Sequence, residues 1–210
     1  MSNNVTQYVV DNLFPTPVYI SDCYQLSVEN KDALIKETVE NNVPNLHGNI
    51  TSANNYVLDI PYLSDLKKHI IEQINNYVHE VLGIARNVEI YLTQSWLNIN
   101  RTDTSHHPHH HPNSLISGTY YLKGDTPISF MYEDRNIFQN FNFKFSQKNF
   151  YNQSICDVRI QEGRCLLFPS TLNHFVKANI NKEDRVSLSF NTFIKGTISD
   201  GNTQALKIGD

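Results

Sequence analysis

The second half of the chain consists of short apolar runs separated by turn signals, and this pattern limits the fold most. Seven runs follow Asn87, and they span 89–99, 117–123, 127–132, 155–160, 164–169, 174–178 and 185–194. Such runs are typical of strands, and alternation within them indicates one buried face. Before them, apolar residues at helical spacing predict helices over 26–42 and 64–82. Helices followed by strands favour an α+β, mainly β chain with helices packed on an antiparallel sandwich or barrel.

Length and charge limit the kind of protein. The chain has 210 residues, enough for one domain with a substantial core. We expect a single domain over 1–210, with helical support at about 26–86 and a β core at about 88–195. The net charge of −4 gives no reason to expect a nucleic-acid partner, and no stretch is long enough to span a membrane. Three cysteines without a spacing motif favour reduced thiols in a cytoplasm, which would be the host cytoplasm for a phage-encoded chain.

A histidine-rich tract lies between two of these runs. Five of the nine histidines lie within six positions, as His106, His107, His109, His110 and His111. Imidazole is the commonest protein metal ligand, and residues two apart in an extended segment point to the same side. Two pairs have this spacing, His107 with His109 and His109 with His111. We favour the second pair because it adjoins the next strand, whose backbone is stiffer. A histidine-rich tract without a metal is the alternative.

The last predicted strand carries a cation on its polar face. Alternation over 185–191 places Arg185, Ser187, Ser189 and Asn191 on one side and apolar residues on the other. Inside a closed jelly roll an arginine needs an anion, because an unpaired buried charge is too costly. Its planar fork suits a carboxylate. His174 opens the preceding strand, eleven positions before Arg185, so both side chains can project into one cavity.

The order His109-x-His111, His174, Arg185 resembles the iron(II)- and 2-oxoglutarate-dependent oxygenase superfamily. The resemblance is closest to a little-characterised group of such oxygenases from bacteria and phages. The shared motifs are L-F-P-T-P-V-Y, W-L-N, H-P-N-S-x-x-S-G-x-Y-Y-L, F-P-S-x-x-x-H and R-x-S-x-S-F-N, spread over nearly the full length. The resemblance implies a double-stranded β-helix, that is, a cupin-like jelly roll supported by N-terminal helices. It also implies an oxidoreductase that hydroxylates or otherwise oxidises its substrate, with Fe(II) as metal and 2-oxoglutarate as cosubstrate.

The resemblance also assigns roles to single residues. His109, His111 and His174 would hold the metal, and Arg185 would hold the distal carboxylate of 2-oxoglutarate. Tyr121 and Ser189 are expected to bind the same carboxylate. The residues expected to line the substrate pocket are Trp96, Asn98 and Asn191. The bulk of Trp96 favours the core as its more ordinary place. The substrate is expected to be a small molecule or a protein, and a homodimer is left open.

The histidine at position 111 departs from the common superfamily pattern, which has two histidines and one carboxylate. Asp103, Glu133 or Asp134 could supply a carboxylate, although none has the right spacing. Zinc also accepts three histidines and a water. The sequence therefore leaves open both the third ligand and the identity of the metal.

Two other functions fit parts of the pattern. A cupin-like metal isomerase or binding module would also have His-x-His and a later histidine, with Pro169 five positions before His174. Against it, no glutamate follows His111 at the cupin spacing, the cupin glycines are absent, and a cupin has no use for Arg185. A catalytically silent jelly roll with a structural or interaction role is the third hypothesis.

An aromatic and asparagine-rich segment, 138–152, interrupts the predicted strands. Phe141, Phe143 and Phe145 alternate with polar residues, which predicts a strand with one buried face. The segment could be a hairpin that packs on the core or on a second subunit. We predict instead that it rims the opening of the metal cavity, since long connections often carry lids and binding loops.

Overall fold

The computed structural model describes residues 8–131, 141, 143–199 and 204–209, and two α-helices lie before residue 76. Helix α1 spans Val28–Glu40. Ser27 is its N-cap, and the Ser27 hydroxyl accepts a hydrogen bond from the Asn30 N–H at 3.2 Å. Helix α2 spans Ser64–Asn75 and continues as a π-helical segment to Val81. Within the described ranges, no helix is both long and apolar enough to cross a lipid bilayer.

Twelve strands are present in the described part of the chain. In order they are β1 (Tyr19–Cys23), β2 (Asn42–Pro44), β3 (Ile50–Ser52), β4 (Val88–Asn100), β5 (His106–His109), β6 (Ile116–Lys123), β7 (Ile128–Met131), β8 (Ile155–Val158), β9 (Arg164–Pro169), β10 (His174–Val176), β11 (Arg185–Ile198) and β12 (Leu206–Ile208). All seven predicted strands are therefore confirmed, with shifts at their ends.

The strands form two antiparallel sheets. The larger follows the order β1-β9-β6-β11-β4-β3-β2, with β12 added to the end of β11. The smaller follows the order β5-β10-β7-β8. The predicted α+β, mainly β architecture with a jelly-roll core and supporting helices is confirmed.

The two faces of the larger sheet bury different side chains. Val186, Leu188 and Phe190 belong to the cluster that also contains Leu34 of α1 and Ile70 of α2. The opposite face of β11 carries the polar residues, and they too are buried. The alternation predicted for this strand is thus confirmed, and its polar face points away from the helices.

Several local expectations were wrong. Apart from Asn42, strands β2 and β3 lie in 43–62, where the sequence predicts a loop, because each strand has only three residues. The apolar spacing within the predicted helix 64–82 places Val81 with Leu66, Ile70, Ile74 and Tyr77 on the buried face. In the structure Val81 is 53% exposed, because the wider π-helical turn rotates the side chains out of the α-helical phase. Phe141, Phe143 and Phe145 do not alternate between buried and exposed positions: all three are exposed, and 143–145 form no strand. Positions 138–140 and 142 lie outside the described residues.

Candidate metal centre and cosubstrate site

Three histidines meet where the smaller sheet ends. The antiparallel pairing of β5 with β10 sets His109 directly opposite His174, and His111 follows two residues after His109. One ring nitrogen from each of the three lies within 4.8 Å of the others. The ring centroids are 4.4 Å apart for His109 and His174 and 5.0 Å apart for His111 and His174. This spacing lets three imidazoles converge on one ion.

Each of the three rings is fixed by a hydrogen bond from its Nδ1. The acceptors are the His107 carbonyl for His109 at 2.8 Å, the Asn191 Oδ1 for His111 at 2.6 Å, and the Leu172 carbonyl for His174 at 3.0 Å. A carbonyl oxygen can only accept, so Nδ1 carries the proton in every ring. The Nε2 atoms then keep their lone pairs, which is the tautomer that a metal ligand requires.

Burial keeps these imidazoles uncharged. It lowers the pKa of His111 to about 4 and that of His174 to about 2. Electrostatic repulsion from the neighbouring imidazoles lowers both pKa values further. The pKa of His109 is lowered for the same main reason. Within the described ranges, no carboxylate joins this group, and Asp103 is not part of it. Glu133 and Asp134 lie outside the described residues.

The histidines open onto a cavity between the two sheets. Its walls are formed by Trp96, Asn98, His106, His109, His111, Thr119, Ile128, His174, Phe175, Val176, Arg185, Ser187 and Ser189. Trp96 is half-buried and its ring lies 5.6 Å from that of His111. Its bulk favoured a place in the core, but it forms part of the cavity wall.

Arg185 is buried in the same cavity, at 3% exposure. Its guanidinium donates to the Thr126 carbonyl at 3.1 Å, the Ser187 hydroxyl at 2.9 Å and the Tyr121 hydroxyl at 3.3 Å. A fourth contact, to the Asn100 Oδ1, is 3.5 Å long. Every one of these groups is neutral, and no carboxylate among the described residues forms an ion pair with Arg185. The cavity therefore holds a positive charge that the described protein groups do not compensate.

Asparagines of β4 border the cation. Trp96, Asn98 and Asn100 share one face of the strand. The Nδ2 of Asn98 donates to the Ser189 hydroxyl at 3.0 Å. The buried Oδ1 of Asn98 and Nδ2 of Asn100 have no hydrogen-bond partner among the described residues. Unpaired buried polar atoms are costly. Asn98 lines the cavity, so its Oδ1 indicates a ligand or water there.

The structure distributes the other predicted residues differently from the sequence-based expectation. Ser189 was expected to bind the distal carboxylate and lies in the cavity wall, while Ser187, which was not predicted, accepts a hydrogen bond from the guanidinium. Asn191 was expected in the substrate pocket, but it contacts the His111 ring and is not part of the cavity wall. Tyr121 was expected to bind the same carboxylate as Ser189; its hydroxyl accepts a hydrogen bond from Arg185, and it is not part of the cavity wall. The aromatic residues in the described part of 141–152 do not line the cavity either.

Comparison with known proteins agrees with this geometry. A family model described as "Putative 2OG-Fe(II) oxygenase" matches residues 94–191, which contain all the histidines of the centre and Arg185. No curated protein matches the chain significantly.

Solved structures share the fold at low sequence identity. An oxidoreductase of the 2OG-Fe(II) oxygenase family from Burkholderia pseudomallei is 11% identical, with 83% of each chain covered and a TM-score of 0.55. HygX from Streptomyces hygroscopicus, bound to nickel, 2-oxoglutarate and hygromycin B, is 12% identical, with 84% of this chain and 82% of that chain covered and a TM-score of 0.54. A Trichoplax adhaerens prolyl hydroxylase in complex with a peptide fragment is 14% identical, with 84% and 83% covered and a TM-score of 0.51. The resemblance of this chain to the iron(II)- and 2-oxoglutarate-dependent oxygenases, first indicated by its motifs, is thereby confirmed.

Proposed function

We propose that this protein is a dioxygenase in which His109, His111 and His174 hold Fe(II) and Arg185 binds the distal carboxylate of 2-oxoglutarate. The observation that carries the proposal is the buried guanidinium without a carboxylate partner, in the same cavity as three neutral histidines. 2-Oxoglutarate matches both ends of this cavity. Its 2-oxo acid end chelates a metal, and its distal carboxylate supplies the missing anion.

The donor set fits the metal. Three neutral Nε2 atoms that converge from one side suit a borderline divalent ion such as Fe(II) and leave other coordination positions for ligands. Bound Fe(II) supplies the activation of O₂ that couples oxidative decarboxylation of 2-oxoglutarate to oxidation of a substrate. The protein orients the cosubstrate and limits the access of water.

Each part of the chain then has a defined task. Asn191 keeps the proton of His111 on Nδ1, so that Nε2 faces the metal. Tyr121 and Ser187 fix the guanidinium, so that its free edge is presented to the carboxylate. The neutral surroundings leave the positive charge available for the cosubstrate.

The lining of the cavity limits the substrate. The same walls carry the three histidines and Arg185, so 2-oxoglutarate would occupy the space between them. Only the reacting group of a small-molecule or protein substrate would then enter beside it, and the rest would lie outside the opening. The sparse cysteines favour a reducing cytoplasm as the place of this reaction.

Ligand discrimination in the absence of O₂ tests this proposal. The wild-type protein is titrated with 2-oxoglutarate, glutarate and pyruvate, with and without Fe(II), by calorimetry. We expect 2-oxoglutarate to bind most tightly and only with metal, because glutarate lacks the 2-oxo group and pyruvate lacks the distal carboxylate. Equal binding of 2-oxoglutarate and pyruvate would contradict the role of Arg185. Metal binding without 2-oxoglutarate binding would favour the cupin-like alternative.

A further inference from the structure

A second group of histidines lies beside the metal centre. One ring nitrogen each from His106, His107 and His109 lies within 4.8 Å of the others. The ring centroids are 4.5 Å apart for His106 and His109 and 5.2 Å apart for His107 and His109. We propose that these three form an outer site for a divalent transition metal, through which the ion enters before it reaches His111 and His174.

The exposure of the rings supports a direction of transfer. His107 is exposed, His106 and His109 are half-buried, and His111 and His174 are buried. The chain thus presents imidazoles at each depth between the surface and the inner centre. An ion that moves along them exchanges one nitrogen ligand for another and is not left without protein ligands.

A sixth histidine extends this series outward. The ring of His47 lies 5.9 Å from that of His107. Backbone pairing holds it there, because the Ser105 N–H donates to the His47 carbonyl at 3.2 Å. His47 is exposed and stands beside the outer group, so it can serve as a first contact for a hydrated ion.

His109 belongs to both groups, and its hydrogen bond determines how they are used. Its Nδ1 donates to the His107 carbonyl, so only Nε2 can bind a metal. One nitrogen cannot bind two separate ions, and the inner and outer positions therefore exclude each other. The chain then binds one ion at a time, and the shared His109 is the ligand that the ion keeps during transfer.

The chemistry of the outer group defines the ions it takes. Imidazoles alone suit Fe(II), Co(II), Ni(II) and Zn(II), whereas Mg(II) and Ca(II) require oxygen ligands. Co(II) is a suitable probe because its visible absorption reports nitrogen coordination, and it can be handled in air with the full chain.

The first experiment removes the inner centre. With His174→Ala, Co(II) should still bind at one ion per chain, and the additional change His107→Ala should weaken this binding by at least about tenfold. Addition of His110→Ala in the same background is the matched control, since His110 is an exposed neighbour in neither group. His111→Ala replaces His174→Ala if circular dichroism shows that the latter unfolds. Equal effects of His107→Ala and His110→Ala would overturn the outer site.

The second experiment tests entry. In the otherwise wild-type chain, His107→Ala should slow the association of Co(II), followed by stopped-flow absorbance, by about tenfold or more, and His110→Ala should not. An unchanged association rate in His107→Ala would refute the entry role. The inference rests on the proposed inner centre but not on catalysis. Failure of 2-oxoglutarate discrimination in the loaded wild type would count against the proposed function alone.

Discussion

Substitution of Arg185 by methionine is expected to weaken 2-oxoglutarate binding strongly while the metal is still bound. Methionine keeps much of the length of the arginine side chain and fills the buried space without a charge. It removes the donors that face the cavity and leaves the three Nε2 ligands unchanged. The expected loss of 2-oxoglutarate affinity lies between about tenfold and about a hundredfold.

This magnitude follows from the contacts of the guanidinium. Its partners among the described residues are neutral groups, at 2.9–3.5 Å. The distal carboxylate would thus be the counter-ion that the guanidinium lacks among the described residues. Charge-assisted hydrogen bonds of this kind contribute about 1.5–3 kcal/mol. A tenfold change in affinity corresponds to about 1.4 kcal/mol. Removal of the uncompensated buried charge should stabilise the fold, and loss of the hydrogen bonds to its neutral acceptors should destabilise it, so the two effects on stability oppose each other.

Isothermal titration of the Ni(II)-loaded protein measures this loss directly. Arg101→Met is the matched control, because Arg101 is exposed and not part of the cavity wall. Arg185→Lys should lie between wild type and Arg185→Met, since lysine keeps the charge but not the planar fork. Unchanged 2-oxoglutarate affinity in a folded Arg185→Met protein would refute the reasoning. So would a parallel loss of Ni(II) binding.

Three further outcomes are expected. Tyr121→Phe removes one hydrogen-bond acceptor that positions the guanidinium but leaves the charge of Arg185 in place, so it should weaken 2-oxoglutarate binding by about tenfold or less; calorimetry that shows a loss as large as in Arg185→Met would contradict this. Asn191→Leu removes the shorter of two hydrogen-bond contacts of the His111 Nδ1, the other being to the Ser117 hydroxyl, and should lower Co(II) affinity by about 10–100-fold; unchanged affinity would show that the ring does not need the amide of Asn191. In the metal-free protein, the pKa values of His111 and His174 lie below about 6.5, the value expected in the unfolded chain. Above pH 6.5 the two imidazoles are unprotonated in both the folded and the unfolded chain. Below pH 6.5 only the unfolded chain protonates them, so the free energy of unfolding should fall by about 1.4 kcal/mol for each ring and each unit by which the pH decreases. Urea denaturation at pH 7.5 and pH 5.5 measures the difference, and equal stability at both would contradict the burial argument.

The sequence was most informative where the strand period alone determines the outcome. Along β11, a period of two is enough to place Arg185 and Ser187 on the face opposite Val186 and Leu188, as the structure confirms. Similarly, the His-x-His spacing brings His109 and His111 to one side. These features are local, so no knowledge of the partner strands was needed.

Contacts that depend on distance across the fold were harder to predict. Residues two apart on a strand are separated by about 7 Å and residues four apart by about 13 Å. Arg185 therefore contacts Ser187, whereas Ser189, which was expected to bind the distal carboxylate, accepts a hydrogen bond from Asn98. Asn191 lies six positions from Arg185, and its task depends on the position of His111, which is set by long-range pairing. No periodicity in the sequence contains that information.

Trp96 has a consequence for spectroscopy. It is the single tryptophan of the chain, so all of the indole emission comes from one ring, 5.6 Å from that of His111. Ions with a partly filled d shell quench a nearby excited indole, whereas Zn(II), with its closed shell, cannot accept the energy in that way. The intensity of this emission would then report whether the centre holds an open-shell ion or Zn(II), without any label or added chromophore.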